Sequence, residues 1–113
     1  MQRFHLLLAG ASWMGEYGNP DTDDWKFMEQ YSPYHNVDSE AKYPPILFTT
    51  STRDDRVHPG HARRMAKKMM DTDQSPVFYY ENIEGGHGGA ADSKQRAFVS
   101  SLMYEFLWQT IGK

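Results

Sequence analysis

The chain has 113 residues, 39% of them apolar and 14% aromatic, which is enough for one small packed domain and too much for wholesale disorder. A net charge of -3 with a pI near 5.9 gives no electrostatic ground for nucleic-acid binding, and the lack of cysteine rules out disulfides and thiolate metal sites within it. No apolar run approaches the ~20 residues of a membrane-spanning helix, so neither nucleic acid nor a membrane is an expected partner.

In chain order, residues 3–17 read as a helix, with Phe4, Leu7, Leu8 and Ala11 recurring at three- and four-residue steps. The opening M-Q-R-F-H-L-L-L-A-G-A-S-W sets one Arg before an apolar core, as secretory signals do. That core is too brief, and aromatic and charged residues follow at once. The compartment stays open between cytoplasm and periplasm. Gly18-Asn19-Pro20 ends the first segment, and Asp21 to Asp24 give an acidic, cap-rich start to a short helix over Trp25–Gln30. Residues 31–45 are irregular, broken by Ser32-Pro33 and Pro44-Pro45. Ile46 to Thr50 reads as a strand covered on both faces.

A loop then carries Asp54, Asp55, Arg56 and His58 to Pro59-Gly60. Residues 61–70 form an amphipathic helix, with Ala62, Met65, Ala66, Met69 and Met70 on a core face and Arg63, Arg64, Lys67 and Lys68 opposite. Val77 to Tyr80 is a second short strand, rich in aromatic residues. A glycine loop at 85–89 follows, and a last helix capped by Asp92 or Ser93 runs to about Ile111 through Phe98, Leu102, Phe106 and Leu107. The order helix-helix-strand-helix-strand-helix predicts an α/β fold with two parallel strands joined by a right-handed crossover. No repeat or linker divides the chain, so residues 1–113 are expected to form one domain.

Two residues stand where chemistry is expected. Asp54 follows the first strand in S-T-R-D-D-R-V, and His87 follows the second in G-G-H-G-G, 33 residues later. Acid after one strand and His after the next is the chain order of an α/β-hydrolase triad, and sites in open α/β sheets form at the carboxyl ends of the strands. A basic His needs one nitrogen free toward the nucleophile and the other fixed by a carboxylate. Asp55 is the rival acid: adjacent side chains diverge, and spacing does not choose between them. His58 and His61 in H-P-G-H lack the further ligands a zinc site needs. No metal or cofactor is expected. His5 and His35 have no evident partner. Trp25 and Trp108 read as core or groove residues.

The stretch Y-P-P-I-L-F-T-T-S-T-R-D-D-R-V-H-P-G-H-A-R-R-M-A with G-G-H-G-G, together with R-F-H-L-L-L-A-G-A-S-W-M-G-E-Y-G and Y-S-P-Y-H-N-V, closely resembles the carboxyl-terminal part of the prolyl oligopeptidase family of serine peptidases. The likeness covers nearly the whole chain and implies a partial α/β-hydrolase fold. It implies Asp54 as the triad acid and His87 as the base. Arg56 would hydrogen-bond a substrate carbonyl and Val57 would line the specificity pocket. Trp13 would stack on the substrate proline, with Tyr17 lining the same pocket; a flat indole offers a large apolar face to a rigid ring. By spacing alone, Trp13 and Tyr17 would be packing residues one helical turn apart, and Arg56 would simply neutralise the neighbouring acids.

The chain departs from the family at the nucleophile. None of its eight serines lies in a G-x-S-x-G elbow, and Ser12 in G-A-S-W-M-G, the nearest, falls in a predicted helix. The resemblance places that elbow, the oxyanion hole and a propeller domain upstream, so the expectation is a truncated chain whose partner is the missing amino-terminal half. Loss of a triad nucleophile costs on the order of a million-fold in kcat, and the chain alone is expected to be inactive. Two other readings stand beside cleavage of proline-containing peptides. One is a non-catalytic α/β domain that self-associates into a homo-oligomer to cover an open strand edge. The other is part of another α/β-hydrolase, an esterase or dipeptidyl-type peptidase.

Overall fold

The computed structural model describes residues 1–112. Its centre is a two-stranded parallel sheet, β1 (Ile46–Ser51) beside β2 (Val77–Asn82), in register from Ile46 opposite Val77 to Ser51 opposite Asn82. Aromatic and β-branched side chains favour this extended backbone. The connection between the strands is the helix α3 (Gly60–Thr72), which packs against both. Alternate residues of β2 meet opposite layers. Phe78 and Tyr80 contact Phe106 and Phe98, at ring separations of 5.7 and 5.6 Å. These two phenylalanines belong to the last helix, Ser93–Ile111. Tyr79 and Glu81 turn instead toward Arg63 of α3. The last helix is capped by Asp92, whose side chain accepts from the Gln95 backbone N–H at 2.8 Å.

The order helix, helix, strand, helix, strand, helix is as read from the sequence, with differences inside elements. The stretch 3–17 is not one helix. It forms two 3-10 segments, Phe4–Leu6 and Leu8–Trp13, then the single-turn helix α1 (Met14–Tyr17). Leu7 is extended and Leu8 takes a φ of 50°, so the chain folds back on itself. Gly10 permits this, because a Cβ there would lie 1.8 Å from the Phe4 carbonyl oxygen. The next helix, α2 (Asp24–Tyr31), starts where the acidic run predicts, and Asp24 accepts from the Asn19 backbone N–H at 2.9 Å. With α1 and α2 assigned, the last helix is α4.

Burial is thinner than the residue pattern suggests. Phe4, Met28, Ala66 and Met69 are the buried apolar residues. Of the methionine stripe on α3, Met69 is buried and Met65 half-buried, but Met70 is exposed. The strands are half-buried rather than covered on both faces, with Phe78 50% exposed. Side chains alternate along β2: the rings at 78 and 80 go one way, the phenol and carboxylate at 79 and 81 the other. Trp25 is half-buried against His35, and Trp108 is exposed in a surface hollow with Tyr104, Leu107 and Ile111. No helix among the described residues is long and apolar enough to cross a membrane.

Candidate active site

Both strands end on the same rung, Ser51 opposite Asn82, and the loops that follow carry the two candidate groups. Asp54 sits in the tight turn after β1, its N–H donating to the Ser51 carbonyl at 3.2 Å. Its Oδ1 accepts from the backbone N–H groups of Arg56 and Val57, each at 2.9 Å. His87 Nδ1 lies 2.9 Å from Oδ2 and 3.0 Å from Oδ1 of the same carboxylate. Asp54, then, is the acid that meets His87, while Asp55 is exposed.

Partial burial pushes the Asp54 carboxyl up. The bonds from Val57, Arg56 and His87 outweigh it, so its pKa lies below the ordinary aspartate value. The Asp54 side chain is 11% exposed and that of His87 47%. The carboxylate is therefore sheltered, while the imidazole keeps an open outer edge. A carboxylate on Nδ1 holds the proton there and leaves Nε2 as the basic nitrogen. Among the described residues Nε2 makes no hydrogen bond. A sheltered carboxylate that orients an exposed imidazole can supply general-base chemistry to a nucleophile brought to Nε2.

Arg56 and Val57 reach the pair through their backbone N–H groups, and their side chains are exposed. Trp13 is half-buried at the start of α1, and Tyr17 is exposed and packs edge-on against Phe4 at 6.1 Å. Tyr17 also accepts from the Tyr31 hydroxyl through its carbonyl, at 3.3 Å. Among the described residues, no hydrogen bond or ring contact of Trp13 or Tyr17 reaches Asp54 or His87. Ser12 lies in the second 3-10 segment, and its hydroxyl donates to the Ala9 carbonyl at 2.7 Å. Three of the other histidines have local partners: His5 pairs with Asp21 and His35 with Ser32, each at 2.8 Å, and His58 Nδ1 accepts from the Gly60 N–H at 3.0 Å.

Two supporting groups escaped sequence reasoning. Glu81 accepts from Thr52, from Tyr79 and from two nitrogens of Arg63, at 2.5–3.0 Å. The Arg63 bonds, then those of Thr52 and Tyr79, bring its pKa down to about 2. This carboxylate ties α3 and β2 to the residue two places before Asp54. An ionisable side chain in an otherwise aromatic strand was the available signal. Asn82, 5% exposed, braces the glycine loop. An Asn between a strand and a glycine-rich turn is a known maker of side-chain-to-backbone turns, and that pattern could have marked it.

The model of the prolyl oligopeptidase family matches residues 1–113. The chain is 46% identical over 112 residues to the uncharacterized peptidase y4nA of Sinorhizobium fredii, covering 98% of this chain and 15% of that protein. It is 34% identical to the prolyl endopeptidase of Dictyostelium discoideum, over 94% of this chain and 15% of that one. Among solved structures, the post-proline cleaving enzyme from Rickettsia typhi superposes with a TM-score of 0.96 at 32% identity, covering 99% of this chain and 16% of that enzyme. The chain thus spans about a sixth of the length of the proteins it matches. Its two-stranded sheet is a part of their α/β-hydrolase fold, and the chain belongs to the prolyl oligopeptidase family of peptidases.

Proposed function

We propose that this chain is the carboxyl-terminal part of the catalytic domain of a serine peptidase that cleaves peptides after proline. In this reading Asp54 is the triad acid and His87 the base, and the nucleophilic serine is contributed from outside the chain. The observation that carries the reading is the carboxylate–imidazole pair itself, with Nδ1 at 2.9 Å from Asp54 and Nε2 unoccupied. Arg56 would offer its exposed guanidinium to a substrate carbonyl. Val57, Trp13 and Tyr17 would form the walls of a proline pocket once the rest of the enzyme closes around them. All four keep some accessible side chain, as that role requires.

The chemistry assigned to these residues is modest and specific. Asp54 holds the imidazole in one tautomer and stabilises the imidazolium that forms; His87 takes the proton of the attacking hydroxyl and returns it to the leaving amine. With no serine in an elbow, residues 1–113 have no turnover of their own in this reading. The test is a chromogenic prolyl peptide amide, offered first to the chain alone and then to the chain with an amino-terminal segment carrying a G-x-S-x-G elbow. No turnover in the first case and turnover in the second is expected. Asp54→Asn should then lower kcat by about 10⁴-fold, with Asp55→Asn close to wild type. Turnover by the chain alone, removed by Ser12→Ala, would refute the account of the nucleophile.

A second reading is favoured by a separate observation. Phe78, Phe98, Tyr104, Trp108 and Ile111 are all at least half exposed, and each strand of the two-stranded sheet has one open edge. In isolation the chain would cover this surface by associating with copies of itself.

A further inference from the structure

Asn82 is the last residue of β2, and its carboxamide is fully used. Oδ1 accepts from the backbone N–H groups of Glu84 at 2.9 Å and Gly85 at 2.8 Å, where the chain enters the glycine loop. Nδ2 donates to the Gly89 carbonyl at 2.9 Å, where the chain leaves it, and to Gln95 Oε1 in α4 at 3.1 Å. Two donors and two acceptor sites are all that a carboxamide commonly offers. His87 lies between these clamped ends, in a turn closed by the Gly89 N–H on the Gly86 carbonyl at 3.0 Å.

The same residue reaches the other loop through its backbone. The Asn82 carbonyl accepts from the Thr52 N–H at 2.8 Å, two residues before Asp54. Its neighbour in α4 extends the brace: Gln95 Oε1 also accepts from the Ala91 N–H at 2.9 Å, and Gln95 Nε2 donates to Glu84. The loop is sharply bent. A Cβ at Gly85 would lie 2.8 Å from the Ala90 nitrogen, and Gly89 has a φ of 79°. A loop of this kind, with an exposed imidazole at its tip, has little packing of its own to fix its orientation.

We infer that Asn82 is the positioning residue of the pair: its side chain sets the path of the His87 loop while its backbone holds the start of the Asp54 loop. The inference rests on the catalytic reading of His87 and adds the group that makes the 2.9 Å contact persist. It also explains why a polar side chain is buried at the end of an aromatic strand, since each of its polar atoms is satisfied.

The tautomer of His87 tests this without any need for turnover. Long-range ¹⁵N–¹H spectra of the chain with its imidazoles neutral should show His87 in the Nδ1–H form that Asp54 selects. Asn82→Ala should lower the ratio of Nδ1–H to Nε2–H by about tenfold, the equivalent of one charge-assisted hydrogen bond. If Asn82→Ala does not fold, Asn82→Asp serves instead. It keeps the two acceptor bonds to Glu84 and Gly85 but turns a carboxylate on the Gly89 carbonyl and Gln95 Oε1, and the same fall is expected. A wild-type ratio in a folded variant would overturn the positioning role. A wild-type protein with His87 as Nε2–H would overturn the pairing and the catalytic reading with it. The expected tautomer shift without turnover in the reconstituted enzyme would overturn the catalytic reading alone.

Discussion

Two carboxylates near the candidate site are held as anions, and each gives stability a definite dependence on pH. Asp54 lies below its ordinary pKa, and Glu81 falls from 4.5 to about 2. A carboxyl whose folded pKa is depressed adds stability in full above its unfolded value and loses it as pH falls through the folded one. The Glu81 share should therefore vanish between about pH 4.5 and pH 2. Urea melts at pH 7 and pH 3 check this: Glu81→Gln should cost about 1–2 kcal/mol at pH 7 and less than half of that at pH 3. Equal losses at both values would contradict it. At this scale the sequence was legible for the pair and not for its surroundings. Asp54 and Asp55 are chemically equal on paper. The turn that points one at His87 and the other at solvent is set by the N–H groups of Arg56 and Val57, which every sequence has. Glu81 went unread because Arg63 and Thr52 lie 18 and 29 residues away, and Asn82 because its bond to Gln95 joins β2 to α4, although its bonds to Glu84, Gly85 and Gly89 are local.

At the scale of elements, the sheet and the crossover helix were visible because each has a strong period or composition. The helix predicted over 61–70 extends by one or two residues to Gly60–Thr72, and the strands to Ser51 and Asn82. The amino-terminal stretch was misread because three- and four-residue spacing is shared by an α-helix and by 3-10 turns folded on one another. What distinguishes them is the approach of Gly10 to the Phe4 carbonyl, which periodicity cannot register. Gly10→Ala should cost about 2 kcal/mol or more, since the clash is with backbone and cannot be relieved by a rotamer. Thermal melts against the exposed control Gly15→Ala, where a Cβ would meet nothing, would detect it. A Gly10 variant as stable as the control would contradict the folded-back geometry.

At the scale of the molecule, a long apolar helix and a narrow sheet leave aromatic surface in water. The α4 residues Phe98, Tyr104, Trp108 and Ile111 are 56%, 73%, 69% and 77% exposed. Surfaces of this kind are normally covered by protein, and sedimentation of the isolated chain should give a mass above that of the 13.1 kDa monomer. A clean monomer over micromolar concentrations would speak against self-association. The strong apolar character of α4 was plain in the sequence; which face meets the sheet and which stays bare was not, because no polar side separates them. The parallel register carries a consequence of its own. Asp54 and His87, the proposed acid and base, are launched from one rung, Ser51 opposite Asn82. A slip of β2 by one residue would move the His87 loop by about 3.3 Å along the strand and turn its aromatic rings to the opposite layer. The ladder thus works as a vernier for the proposed chemistry: a chain paired one notch out would keep every residue named above and still be unable to bring the imidazole and its carboxylate together.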